Sequence, residues 1–461
     1  MLTEIQTREI FDRVMKYSRA DETEVLIAGG SSALTRFANN TIHQNVAEEN
    51  YIVSVRTVAG GRTARATTNK IDDASLRRTV EAATSIARVQ EPDSDLLPMA
   101  EPSAYGPGPE VQRHFCETAA ITPQQRADAV EKMVGIAQRH KLTAAGIYST
   151  SESFEAVLNS RGLANYYTQT SAEISITMLA GDSSGWQKSN SPDVRNLDPV
   201  ALAETAARKA AASAAPRELP PGKYTVILEP AAVLDLVGFM FWDFAGLAVL
   251  DQRSFLNNRI GKPLFGENIS VYDDVYHPLQ SGAPFDGEGA RRQRVQLIDK
   301  GVVRQLVYAR GTAEKMKKSD LAAAVGAIAP TGHGFPLPNE MGEAPMNVVF
   351  ELPSAASAQT LEQMIASTER GVLVTRLWYI REVDPYEKIL TGMTRDGTFY
   401  VEDGKLRQGI RNFRLNESLI HMLCSVEEMG APVRASGEES FDMVVPAMKV
   451  RDFNFTEVTK F

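Results

Sequence analysis

Apolar residues recur every three or four positions in some stretches and every second position in others, so the chain reads as a fixed succession of helices and strands. The first stretch, MLTEIQTREIFDRVMKYS, is an amphipathic helix. Alternating segments follow, EVLIAGG and ALTRFANNTIHQNVAEENYIVSVRTVAGGRTARATTN, and then a second helical run, DDASLRRTVEAATSIARV. The same order then returns. Thr122 and Pro123 supply a cap and a first-turn proline for QQRADAVEKMVGIAQRH, whose apolar face is Val130, Met133, Val134 and Ala137. After it come FEAVLNSRGLANYYTQTSAEISITMLAGDSSGWQKSN and the helical DPVALAETAARKAAASAA.

The two copies align turn for turn. Asn39-Asn40 corresponds to Asn159-Ser160, Val53-Ser54-Val55 to Ile174-Ser175-Ile176, and Gly60-Gly61 to Gly181-Asp182, at an offset of about 120 residues. Each copy is a β-meander with a helix on one face. The remainder is mostly strand. Tyr224 to Leu228 is a short buried strand, Arg294 to Ile298 turns at Asp299-Lys300-Gly301 into Val302 to Leu306, and Thr398 to Val401 turns at Asp403-Gly404 into Lys405-Leu406. The expected class is α+β: duplicated β-meander-plus-helix units at the N-terminus, then a mostly antiparallel β-rich domain.

Prolines divide the chain. The segment VQEPDSDLLPMAEPSAYGPGPEV carries Pro92, Pro98, Pro102, Pro107 and Pro109, and APRELPPGKY carries Pro216, Pro220 and Pro221. Each removes a backbone donor and fixes φ, so neither segment sustains a regular element. The expected organisation is an N-terminal domain over 1–219, with repeat units at about 1–100 and 110–215, and a C-terminal domain over 220–461.

Composition narrows the function. A net charge of -9 argues against a protein whose main task is gripping nucleic acid. The most apolar window, Thr225 to Leu250, contains Glu229, Asp235 and Asp243 and reads as buried strand and helix, with no membrane insertion expected. Cys116 and Cys424 are the only cysteines, which suits a reducing compartment and a cytoplasmic location. The N-terminus lacks the basic start and apolar run of a signal peptide.

Candidate chemistry is sparse. The helix VLDLVGFM after Pro230 stands where an enzyme of this layout often places reacting groups, yet Leu234 and Phe239 have no lone pair for a metal. Asp235 alone remains, with a surface or capping role as its plain reading. The six histidines form no close pair, and His421 with Cys424 on one helical turn would supply only two ligands. Asp273-Asp274, Asp286-Gly287-Glu288, Glu382 and Asp384 could act as acids or bases, but loop carboxylates are usually solvated or bonded to nearby backbone. Neither a phosphate loop nor G-x-S-x-G is present, and TGHGF reads as a turn.

Four segments in this order, TRFANNTIHQNV, FDGEGARRQRVQLIDKGVVRQLVYARGTAEK, TGHG and GMTRDGTFYVEDGKL, resemble the TldD/PmbA family. Its members were once described as modulators of DNA gyrase and are now viewed as metallopeptidase subunits. In its catalytic type the helix after the linker carries HExxxH, and a cysteine near the C-terminus completes a zinc site. Here that motif falls on Leu234, Asp235 and Phe239, and the cysteine segment on VRASGEES, with Ala435, Ser436 and Gly437 but no thiol. The chain is therefore similar to the PmbA (TldE) type, which lacks HExxxH.

The resemblance implies no metal or cofactor in this chain, zinc in a TldD-like HExxxH partner, and a peptide substrate bound by strand addition. It implies a non-catalytic subunit of a heterodimeric peptidase that degrades unfolded peptides; the alternative is a homodimer that binds peptides without cutting them. A third possibility is an independent enzyme using carboxylates such as Asp235, Asp273 or Glu382. Trp378, Tyr379, Gly392 and Met393 are groove candidates, because aromatic and glycine-bearing strands suit peptide contact. Core packing is the competing reading for both aromatics.

Overall fold

The computed structural model describes residues 1–102 and 109–459; Pro107 of the first linker lies outside them. One antiparallel sheet contains both repeats, in the order Arg62–Thr68, Thr41–Ala59, Glu22–Ala38, Thr143–Asn159, Ala164–Ala180, Ser183–Ser191. The copies join through their first strands, which pair from Glu24↔Asn159 to Phe37↔Gly146. Asn39 and Asn40, at φ of 50° and 59°, make the tight turn that the expected hairpin requires.

Helices cover one face of this sheet in two pairs. Glu4–Tyr17 and Asp73–Val89 bury Ile10, Val14, Leu76 and Val80 against Val25, Ile27, Val53 and Val55. Pro123–Arg139 and Pro199–Ala212 bury Val130, Met133, Ala203 and Ala206 against Phe37, Tyr148, Ile174 and Ile176. Thr122 caps its helix as expected, accepting from the backbone N–H of Gln125 in a reciprocal capping box. On the opposite face Val157 and Leu163 meet Ala283 and Phe285 of the C-terminal region, so the two halves of the molecule share an apolar seam.

Beyond residue 220 the strands form two further sheets. One is a six-stranded sheet in the order Val302–Val303, Val295–Asp299, Ser270–Asp273, Val348–Glu351, Met443–Val445, Val433–Ala435. In the other, Arg370–Asp384, Gly222–Leu228, Met448–Val458, Phe413–Ser418 and Ile389–Glu402 pair in turn, and the last returns to the first. This ring closes, which removes most exposed edges. Both expected hairpins form, at Asp299 to Val302 and at Glu402 to Lys405. The pairing is mostly antiparallel; Gly222–Leu228 with Arg370–Asp384, and Val348–Glu351 with Met443–Val445, run parallel. The helix Pro230–Phe241 lies in the core between these sheets.

Candidate functional site

Pro230–Phe241 begins directly after the strand Gly222–Leu228, with Pro230 in its first turn. It is apolar on every face, and residues 232–238 are all buried. Such a helix buries its polar residue too. Asp235 is fully buried, which corrects the surface reading, while the capping one is met from an unexpected direction. Its Oδ1 accepts the backbone N–H groups of Glu438 and Glu439, each at 3.1 Å, and its Oδ2 has no partner among the described residues. Burial pushes its pKa up to about 7 against the pull of those two N–H groups.

The loop that Asp235 holds lies tight on the helix. A Cβ at Gly437 would stand 2.0 Å from Asp235 Oδ1 and 2.6 Å from Leu234 Cδ2, and one at Gly238 would stand 2.0 Å from Ser440 Oγ. Side chains of the next residues tie the loop outward. Glu438 reaches Lys188 at 3.7 Å and Arg376 at 3.9 Å, while Glu439 accepts the N–H of Tyr379 at 2.8 Å and pairs with Arg381. Loop, helix and two long strands are thus one assembly.

Next to this assembly opens a cavity of about 980 Å³, walled by Phe239, Trp242, Asp243, Glu343, Lys388 and Glu438, among others. Lys388 is buried on its wall, its Nζ 2.6 Å from Asp243 Oδ2 and 2.7 Å from Glu382 Oε1. Burial raises the pKa of Asp243 while Lys388 opposes the shift. Glu343 accepts the N–H groups of Leu247 and Ala309 and the Thr312 hydroxyl, yet desolvation still lifts it to about 7.

The other sequence candidates fall in different places. Trp378 and Tyr379 are 36% and 53% exposed, so core packing is corrected for both. They sit at a bulge in Arg370–Asp384, where Arg395 stacks on Trp378 and Arg381 on Tyr379. Met393 is the cross-strand partner of Trp378, and Gly392 packs near Ile380. None of these four lines the cavity; Tyr379 reaches it only through Glu439. His421 bonds Glu417 and Cys424 bonds the Leu264 carbonyl, so the two do not converge on a common point.

The remaining loop carboxylates are not solvated as a group. Asp286 is buried, accepting N–H groups of Glu288, Ala290 and Gly334, and desolvation together with Glu288 raises it to about 7. Asp273 is buried against His333 Nε2 at 2.8 Å and accepts the N–H of Asn347. Glu382 bonds Lys388, and Asp384 caps the turn at Tyr386 and Glu387. Sequence reasoning missed Lys388, Glu343 and the Glu438-Glu439 pair. The glycine in ASGEES was the available signal for the last, since a close backbone approach demands one.

The chain matches models of three successive domains: PmbA/TldA metallopeptidase domain 1 at residues 23–87, the central domain at 116–214 and the C-terminal domain at 221–457. The architecture is that of a metallopeptidase-related α+β protein. This chain belongs to the PmbA/TldD family.

Metalloprotease PmbA of Escherichia coli O157:H7 is 22% identical over 408 residues, 84% of this chain and 83% of that protein. A metalloprotease of Methanothermobacter thermautotrophicus is 21% identical over 337 residues, 68% of this chain and 69% of its own length. TldE from Thermococcus kodakarensis has the same fold, with a TM-score of 0.85 at 19% identity over 98% of this chain and 100% of that one. A protein from Thermotoga maritima described as a modulator of a DNA gyrase superposes with a TM-score of 0.84 at 19% identity, over 98% and 100%.

A metal is implied by that family name, and the residues here do not fit one. Leu234 is a core side chain pressed under the Gly437 loop, and Phe239 is an apolar residue packed on the same core at the cavity wall. Neither offers an electron pair. Ala435, Ser436 and Gly437 bring no thiolate, and the backbone of that loop already occupies the space above Asp235. Among the described residues no three His, Cys, Asp or Glu side chains are placed to hold an ion. No helix among them is long and apolar enough to cross a membrane.

Proposed function

We propose that this chain is the non-catalytic subunit of a two-subunit peptidase of the TldD/TldE type, acting on flexible peptides. The observation that carries the reading is the exchange at the helix: Leu234 and Phe239 stand where the HExxxH motif would bring imidazoles, and Asp235 bonds a loop backbone instead of facing solvent. A zinc peptidase needs two imidazoles on the ion and a carboxylate free to take a proton from its water. This chain supplies neither, so an HExxxH-bearing partner brings the zinc and the general base, and this subunit contributes cavity wall and peptide contacts.

A second reading has its own support, because the 980 Å³ cavity is walled by residues of this one chain. A homodimer could hold a peptide there without cutting it. The deciding experiment measures zinc content and cleavage of an unstructured peptide by the purified chain, alone and mixed with an HExxxH-bearing homologue. Cleavage only in the mixture, with zinc in the homologue, is expected. Stoichiometric zinc and cleavage by the isolated chain would overturn both readings, and peptide binding without cleavage in either sample would favour the homodimer.

A further inference from the structure

A second, polar hollow lies on the face of the long sheet that its helices leave open. Ala28, Gly30 and Ser32 on Glu22–Ala38 lie beside Ser151, Ser153 and Glu155 on Thr143–Asn159, and small side chains cannot fill the gap up to Gly282 and Ala283. The result is a cavity of about 400 Å³. Glu155 faces it between its cross-strand neighbours Ala28 and Tyr167.

This carboxylate has neither a hydrogen bond nor an ion pair within 4.0 Å among the described residues, although desolvation raises its pKa with only Arg292 opposing the shift. Its side chain is half-buried and neither oxygen is sealed off, so the carboxylate opens into the hollow with its acceptor sites free. The position favours a charge that arrives from outside.

The hollow is not isolated. Glu155, Gly282 and Ala283 also wall a second cavity of about 390 Å³, which includes Arg292, Asn347 and Phe441. Phe441 in turn lines the cavity of about 980 Å³ above the central helix. The first two spaces share the wall at the seam between the long sheet and the C-terminal region, and the second meets the largest, which lies within the C-terminal region, at Phe441. Carboxylates outnumber cations in each: the first is lined by Glu152 and Glu155 with no basic residue, the second by Glu155, Asp286 and Asp442 against Arg292, and the largest by six carboxylates against Arg253 and Lys388. Spaces that follow one another through shared walls suit an extended chain better than a compact ligand.

We propose that Glu155 is a recognition residue that receives a primary ammonium group of an extended peptide lying along this seam. The inference rests on the peptide-binding reading above and adds a charge preference to it. The ammonium could come from a lysine side chain or from a free N-terminus; both donate to a carboxylate in the same way.

The test uses the full-length chain and three fluorescent peptides of one flexible sequence: acetylated with a central lysine, acetylated with norleucine there, and the norleucine peptide with a free N-terminus. Anisotropy titration is expected to show the lysine peptide, the free-amine peptide or both binding about tenfold tighter than the acetylated norleucine peptide. In Glu155→Gln all three should bind alike, at the affinity of the acetylated norleucine peptide for the native chain. The arm that gains affinity identifies the source of the ammonium. Equal binding of all three by the native chain overturns the inference but leaves the peptide reading standing, and this comparison needs no variant. A preference that survives Glu155→Gln assigns it to the general acidity of the seam and overturns the inference as well. Failure of every peptide to bind overturns the inference and, with it, the peptide-binding homodimer.

Discussion

Gly437 and Asp235 are packed so closely that a single methyl group on Gly437 would overlap the Asp235 carboxylate, at 2.0 Å from Oδ1. The loop can sit there because residue 437 has no side chain, and its position is fixed by the two N–H groups that follow. Gly437→Ala must therefore either shift the loop or strain the helix, at a cost of about 1–3 kcal/mol. Gly238→Ala, which meets Ser440 from the helix side, should behave in the same way. Gly135→Ala is the control, because nothing lies within 4 Å of its added carbon and helix propensity favours alanine by about 0.5–1 kcal/mol. Calorimetry should show the first two variants melting below the native chain and the control at or slightly above it. An unchanged melting temperature in Gly437→Ala would mean that the loop is not held as described.

Asp235 makes the stability of the chain sensitive to pH in a direction opposite to that of most paired carboxylates. Its folded pKa of about 7 lies above the ordinary value of 3.8, so between these limits the folded protein keeps a proton that the unfolded chain has released. Stability contributed by this group is complete below the lower limit and declines by about 1.4 kcal/mol per pH unit up to the higher one. Asp235→Asn keeps the oxygen that accepts from Glu438 and Glu439 and removes the titration. Its melting temperature should gain on that of the native chain between pH 5 and pH 8. The same offset at both pH values would contradict a buried, protonated Asp235.

Much of this arrangement was legible in the sequence. The meander copies show because turn residues such as Asn39-Asn40 and Gly60-Gly61 punctuate a two-residue period. What periodicity does not specify is a partner strand, so the pairing of Glu22–Ala38 with Thr143–Asn159, and the closure of the C-terminal ring, could not be read. The missing metal donors at Leu234 and Phe239 were visible residue by residue. The burial of Asp235 was also within reach, because a helix apolar on all faces has no surface on which to put it. Asp286 meets the alternative of bonding to nearby backbone, through the N–H groups of Glu288 and Ala290, but composition does not reveal that this short segment turns inward and buries both carboxylates.

Lys388 places one cation between two carboxylates on the wall of the large cavity, with Asp243 and Lys388 themselves buried. Removing a single member of such a group leaves an uncompensated buried charge, which costs about 3–5 kcal/mol. Lys388→Met should therefore lower the melting temperature more than any exposed lysine substitution does. Adding Asp243→Asn should restore part of the loss, because the remaining Glu382 is partly open to solvent. A double variant no more stable than Lys388→Met would show that the ammonium acts through the Phe255 ring and the Phe239 carbonyl and not through Asp243.

His333 and Asp273 form another buried pair, joining the strand Ser270–Asp273 to the TGHG turn. Burial holds the imidazole below its usual pKa of 6.5 despite Asp273, whereas Asp273, although desolvated, is held below the carboxylate norm by His333, Arg292 and the Asn347 N–H. At neutral pH the pair is a carboxylate with a neutral imidazole, one of whose nitrogens bonds Asp273 and the other Thr331. His333→Ala leaves Asp273 Oδ1 without its donor and should cost about 1–3 kcal/mol at pH 7. As pH falls below 6.5 the unfolded native chain takes up a proton that its folded form resists, so native stability declines. In the variant the stranded Asp273 can take a proton while folded, which shifts stability the other way. The gap in melting temperature between native chain and variant should therefore narrow from pH 7 to pH 5, and a gap that widens over that range would rule out the neutral imidazole.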